Sequence, residues 1–156
     1  MSTKIEDEDL IKAKELFVQS IDYQNSGYLL KAIECLEEAF SLVTSRDSII
    51  NNLIILYFTL KQNEKLKTFL TQVTSSQNKQ LHNLGQIYLN YLEEDFHKCI
   101  EDSNKLLSSE NQSLILQLYD ILIKSYFKTH DISNVFLYSR KPVSYTHLRA
   151  HETTNY

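Results

Sequence analysis

The five histidines and two cysteines are the residues of this chain with the most capacity for metal or acid–base chemistry. His147 and His151 stand four apart, a spacing that places two imidazoles on one helix face, as zinc sites require. No C-x-x-C pair accompanies them, so the spacing alone does not make a metal site. His82, His97 and His130 are scattered and read as surface or packing residues rather than bases. Cys35 and Cys99 are far apart and form no motif, and free cysteine is among the most buried residue types, so Cys99 reads as a packing residue. There is no H-E-x-x-H and no Gly-rich phosphate loop. The sequence therefore predicts no catalytic residue, no cofactor and no metal, and a protein that is not an enzyme.

Composition says what kind of scaffold carries these residues. Hydrophobic residues make up 42% and charged residues 23% of 156 positions, ordinary for one folded domain. Only 2 Gly and 1 Pro are present, too few for the turns of many short strands, which predicts an all-helical fold. Formal net charge is −4 and the pI about 5.7. Nucleic-acid binders present a basic face because phosphate neutralisation supplies most of their affinity, so direct nucleic-acid binding is not expected. The only charge run is acidic, Glu6-Asp7-Glu8-Asp9, and reads as a solvated N-terminal lead over residues 1–9 with Asp9 capping the first helix. The polar N-terminus has no signal-peptide core, and the most apolar stretch, Leu53 to Leu60, is far short of the ~18 residues of a membrane span. No membrane partner is expected, and the reading favours the cytoplasm, with the nucleus as the other reducing compartment.

The helical elements return at near-constant spacing. Tyr23, Tyr57, Tyr88 and Tyr126 each close an apolar helical stretch, and a small or branched residue follows each at Ala32, Leu66, Cys99 and Val135. The steps of the second series are 34, 33 and 36. The first pair runs from about Leu10 to Val43, with Ala13, Leu16, Phe17 and Ser20 on one face and Gly27 in the turn, free to take positive φ. The second spans about Asp47 to Thr74. The third begins near Asn78, and its turn, Leu92-Glu93-Glu94-Asp95, reads as two residues longer than the others. The fourth carries Leu118, Leu122 and Tyr126, turns at Thr129-His130-Asp131, and opens a last helix at Ile132.

The segment Leu81-x-x-Leu84-Gly85-x-x-Tyr88 resembles the W-x2-L-G-x2-Y helix of the tetratricopeptide family, with Leu in place of Trp, and that family repeats every 34 residues or so. The resemblance covers about Leu10 to Arg140 and departs from the family at Gln19 and Ile54. It implies a right-handed α–α superhelix, a solenoid of about four helix pairs over residues 10–141 with the last pair truncated. It also implies a concave face that holds extended or helical segments of other proteins. Carried over position by position, that face takes Lys14, Phe17 and Ile21 from the first pair and Asn51, Asn52, Ile55 and Phe58 from the second. Lys79, His82, Asn83 and Gln86 come from the third, and Asp120 and Lys124 from the fourth. The clamp by which some members hold a chaperone's acidic C-terminus is matched only at Asn52 and Lys79. Phe17, Ile21 and Asn83 replace its other charged or amide groups, which disfavours chaperone docking. The run His82 to Tyr88, the Phe96-to-Leu107 helix and Leu122 to His130 are similar to the tetratricopeptide subunit of the mRNA deadenylase assembly. The expected function is thus a non-catalytic interaction scaffold in a multiprotein complex. The alternative is a regulatory module whose effector lies in a following domain.

Residues Val143 to Thr153 resemble one reading frame of a sequencing-library adapter over eleven consecutive positions, and that stretch contains both His147 and His151. The resemblance implies that residues 142–156 are not native sequence, that the native chain continues beyond Lys141 or Pro142, and that the histidine pair is no zinc site. An uncapped last helix pair is then expected to promote association.

Overall fold

Apolar residues three and four apart, with almost no Gly or Pro to interrupt them, give helices throughout. The computed structural model describes residues 2–73, 78–108 and 114–140. Among them are eight α-helices and no strand: α1 (Ser2–Asn25), α2 (Leu29–Leu42), α3 (Asp47–Thr59), α4 (Asn63–Val73), α5 (Lys79–Leu92), α6 (Phe96–Leu107), α7 (Ile115–Lys128) and α8 (Ile132–Ser139). They divide into two compact units between Gln62 and Asn63, α1 to α3 and α4 to α8. In the first unit α2 packs on α1 and α3 packs on α2; in the second α5 packs on α4, α6 on α5, α7 on α6 and α8 on α7. The zinc spacing at His147 and His151 and the adapter-like segment lie outside the described residues.

Four of the connections are one turn used four times. Gly27, Lys61, Glu94 and His130 have φ of 84°, 57°, 63° and 63°. In each, the residue after it donates its N–H to the carbonyl five positions back: Tyr28 to Tyr23 at 2.8 Å, Gln62 to Tyr57, Asp95 to Asn90 and Asp131 to Tyr126 at 2.9 Å. The positive-φ residue itself donates three positions back, as Gly27 does to Gln24 and His130 to Phe127, both at 3.1 Å. This is the Schellman closure, which satisfies carbonyls that the helix end leaves unpaired. The next helix starts at once. Asp95 and Asp131 serve as its N-caps, accepting from Lys98 N and Asn134 N at 3.3 Å. The positive-φ positions recur at 34, 33 and 36 residues, the steps of the Ala32–Leu66–Cys99–Val135 series, and each precedes its member of that series by five.

Two local expectations are corrected. The first helix begins at Ser2, so the acidic run Glu6 to Asp9 lies within α1 and Asp9 is not its cap. The extra pair of residues in the third repeat is not in the turn, which has the same geometry as the others. It lengthens α5, which runs four residues past Tyr88 where α1, α3 and α7 stop two past Tyr23, Tyr57 and Tyr126.

Small side chains sit where helices approach. Ser20, Ala32, Ala39, Cys99 and Ser125 have no exposed surface, and larger apolar residues such as Leu36, Leu53, Leu70 and Leu122 fill the space around them. Tyr57, Tyr88 and Tyr126 are buried, while Tyr23 is half-buried with its ring edge-on to Tyr28 across the turn. The Tyr57 hydroxyl donates to Glu37 Oε2 of α2 at 2.8 Å. In the second unit Asn104 of α6 donates through Nδ2 to the Tyr126 hydroxyl of α7 at 3.4 Å. Glu37 and Asn104 each stand five residues after their small residue, Ala32 and Cys99, so the two bonds are register-equivalent.

Candidate functional site

The residues assigned to a binding face fall in both units, seven in the first and six in the second. On α5, Asn78 fixes the helix start by accepting from Gln80 N and Leu81 N at 3.1 and 3.2 Å. Leu81, Leu84, Gly85 and Tyr88 then turn inward, which leaves Lys79, His82, Asn83 and Gln86 as one stripe on the opposite side. Lys79, His82 and Asn83 are exposed and Gln86 is half-buried. Gln86 Nε2 donates to Asn90 Oδ1 at 3.2 Å, and Asn90, itself buried, donates to Asp102 Oδ2 of α6 at 3.0 Å. This relay links the foot of the stripe through buried Asn90 to α6. On α7, Asp120 and Lys124 are joined as an i,i+4 ion pair at the surface.

In the first unit the picture is more closed. Phe17 is 1% exposed and belongs to the core, so its ring is not available at the surface. Asn52 is also buried: its Nδ2 donates to Ser48 O at 2.7 Å and its Oδ1 accepts from Gln24 Nε2 at 3.4 Å. Both are corrected from lining to structural residues. Ile21, Asn51, Ile55 and Phe58 are half-buried, and the last three are spaced i, i+4, i+7 on α3. Asn51 Oδ1 is buried without a hydrogen-bond partner among the described residues. Such an acceptor is satisfied by a water or by a ligand N–H. Lys14 is exposed on α1.

His82, His97 and His130 are all exposed, on α5, on α6 and in the last turn, with no neighbouring group of metal-ligating residues among the described residues. Burial pushes the Cys99 thiol above its ordinary range, partly offset by the Ser125 hydroxyl donating to its sulfur at 3.3 Å. Cys35 is half-buried, and burial with the charges of Glu38 and Glu34 raises it too. Among the described residues the charges that act on the two thiols are carboxylates, which do not make a nucleophile of either.

Two aromatic clusters are not legible as sites in the sequence. Lys31 Nζ lies 5.7 Å from the Tyr23 ring centre and 5.5 Å from that of Tyr28. Tyr138 of α8 stacks on Tyr126, lies against Tyr119, both at 5.6 Å, and donates to Asn104 Oδ1 at 3.0 Å. The only sequence signal for the second is tyrosine at i and i+12. Among the described residues no helix is long and apolar enough to cross a membrane. Comparison with known family models, with curated proteins and with solved structures finds no match.

Proposed function

We propose that this chain is a tetratricopeptide-type helical repeat whose role is to hold segments of other proteins, a non-catalytic scaffold within a multiprotein complex. One observation carries the reading. The same Schellman turn recurs at 34, 33 and 36 residues, always five before a residue of the small-residue series. Helix pairs linked in this way leave an apolar face on each pair that only the next pair covers, and stacking them makes a curved surface suited to peptides. The stripe Lys79, His82, Asn83 and Gln86 supports the binding role. It offers donors and acceptors at i, i+3, i+4 and i+7 on α5, with Gln86 at its foot bonded to Asn90 and Asn90 to Asp102 of α6.

The test is selection of peptides from a random display library, with the backbone resonances of the chain followed as a selected peptide is added. Shifts centred on Lys79 to Gln86, and loss of binding in Asn83→Ala, are the expected result. Failure to select any peptide, or shifts centred elsewhere, removes the scaffold reading. The finer assignment, to a mRNA deadenylase scaffold subunit, rests on the run His82 to Tyr88, the Phe96-to-Leu107 helix and Leu122 to His130. It requires that subunits of that assembly bind the chain directly and that His82→Ala weakens them.

A further inference from the structure

The register set by the four Schellman turns fixes which positions no neighbouring helix covers. Three residues after each positive-φ residue stand Leu30, Glu64, His97 and Ser133, and all four are exposed. Four further on stand Glu34, Thr68, Glu101 and Leu137, again all exposed. Glu38, Gln72 and Lys105 continue the stripe by one more turn and are exposed too. The helix after each turn thus carries an i, i+4, i+8 stripe that helix packing leaves bare. Its exposure belongs to the register position, since α2 of the first unit shares it with α4 and α6 of the second.

What differs is the chemistry that α2 puts there. One and three residues after the positive-φ residue, the later turns hold Gln62 and Glu64, Asp95 and His97, and Asp131 and Ser133, all polar. The first turn holds Tyr28 and Leu30, 59% and 62% exposed. Asp95 and Asp131 cap their helices through their side chains, whereas Tyr28, in the same place, makes no cap bond. Further along the stripe, α6 closes Glu101 and Lys105 into an i,i+4 ion pair, where α2 has two carboxylates, Glu34 and Glu38. Like charges at that spacing oppose a helix. α2 therefore forgoes a cap, an ion pair and a polar surface at positions where packing asks nothing of the side chain. Local rules broken without a gain in burial are the mark of a functional surface.

The charge of this face selects its partner. α2 carries three carboxylates, Glu34, Glu37 and Glu38, against Lys31 alone, while α4 has one against two lysines and α6 two against two. The Lys31 charge lies against the rings of Tyr28 and Tyr23, at 5.5 and 5.7 Å from their centres, with the two rings edge-on to each other. An exposed Tyr–Leu anchor followed by unmatched negative charge is complemented by the opposite arrangement, an apolar side chain followed at one-turn intervals by Lys or Arg. The same charge repels phosphate, so neither a nucleic acid nor an anionic lipid surface suits it.

We propose that the exposed stripe of α2 is a second docking surface, for a basic amphipathic segment of another protein, with an apolar side chain against Tyr28 and Leu30 and basic groups on Glu34 and Glu38. The surface lies within the first unit and shares no residue with the α5 stripe, so the two stand or fall separately. Exposed carboxylates steer and select more than they bind, so the contact is weak and salt-dependent.

The test follows the backbone resonances of the whole chain as three model peptides are added. One is built of Leu and Lys with Leu at i, i+3, i+4 and i+7; the second replaces Lys by Glu, and the third replaces Leu by Ser. The Leu/Lys peptide is expected to bind at low salt with shifts centred on Tyr28 to Glu38, and far better than the other two. Leu30→Ser, at an exposed position, is expected to weaken it about tenfold. The double variant Glu34→Lys with Glu38→Lys is expected to invert the preference towards the Leu/Glu peptide at the same place. Tyr28→Asp, which gives the first turn the cap residue of the third and fourth, is expected to unfold in urea no earlier than wild type and still to lose affinity. No binding, equal binding of the Ser/Lys peptide, or an affinity that Leu30→Ser or Tyr28→Asp leaves unchanged overturns the proposal. Shifts confined to Lys79 to Gln86 also overturn it, while leaving the α5 reading in place.

Discussion

Three of the four Schellman turns place a residue with a Cβ in the left-handed region, and that is a cost the chain need not carry. Lys61, Glu94 and His130 have φ of 57°, 63° and 63°, and all three are exposed, so their side chains contribute little packing. A non-Gly residue there is disfavoured by roughly 1–2 kcal/mol, while glycine gives back ~0.5–1 kcal/mol through the greater freedom of its unfolded chain. Replacing any one by Gly is therefore expected to stabilise the fold by about 0.5–1 kcal/mol. For a chain of this size that raises Tm by roughly 1–4 °C. The three sites lie in separate turns, and their effects are expected to add.

Gly27 provides the converse. Its φ is 84°, and a Cβ built there meets nothing within 4 Å, so Gly27→Ala is penalised by backbone conformation alone, by about 0.5–1 kcal/mol. The sharpest control is one residue away. Glu93 has φ of −84°, and Glu93→Gly changes composition as Glu94→Gly does while costing up to ~1 kcal/mol. Thermal and urea unfolding followed by far-ultraviolet circular dichroism reads all of these. A Glu94→Gly variant less stable than wild type, beside a neutral Glu93→Gly, would refute the assignment of the turn and with it the register built on it.

Other consequences come from the same packing. Tyr57→Phe removes the bond to Glu37 and is expected to cost about 1–2 kcal/mol at neutral pH, measured by urea unfolding. Burial, the bond to Glu37 and the Glu37 charge all hold the Tyr57 phenol above its usual value. The folded state therefore keeps its proton longer than the unfolded state, so the stabilisation is whole below about pH 10 and is lost as pH rises beyond it; Tyr57→Phe removes that share of the alkaline loss. Thiol titration with an aromatic disulfide at neutral pH should modify Cys35 slowly and Cys99 only after unfolding, because Cys99 is fully enclosed. Equal rates at both would contradict the burial of α6. Ala32→Leu forces a larger side chain between α1 and α2, where Ala32 has no exposed surface, and is expected to lower stability by about 1–3 kcal/mol.

The parts of the fold readable in the sequence are those set by local periodicity. Apolar spacing places the helices, Gly27 and Thr129-His130-Asp131 mark turns, and the recurrence of Ala32, Leu66 and Cys99 matches the recurrence of the turns. Lys61 and Glu94 are not readable as left-handed positions, because nothing in a lysine or glutamate announces positive φ; the surrounding closure imposes it. The start of α1 is hidden because an acidic run reads as solvated lead, although glutamate is a good helix former and acids are favourable near a helix N-terminus. The burial of Phe17 and Asn52 is hidden for a different reason. Carrying a position over from a repeat pattern says which helix face it occupies but not how closely the neighbouring helix covers it, and here Gln24 of α1 reaches across to Asn52.

The extra residues of α5 show how register and binding surface are linked. Glu94 precedes Cys99 by five, as every other positive-φ residue precedes its partner, so the turn could not absorb them. Placed inside a helix, two residues rotate the part of it before them by about 200° relative to the part after them. α5 consequently holds two registers. Its first part follows Tyr88 and turns Lys79, His82, Asn83 and Gln86 outward; its last turn follows Glu94 and puts Asn90 where Tyr23, Tyr57 and Tyr126 stand. An asparagine there is too short to bridge to another helix pair as Tyr57 does, and it bonds instead to Asp102 of the next helix, α6. Gln86 joins the same relay, so the point where the two registers meet is also the point that anchors the polar stripe. A change at Asn90 or Asp102 should therefore disturb the stripe before it disturbs the core, because the apolar contacts of Leu84, Ile87 and Tyr88 do not pass through that bond.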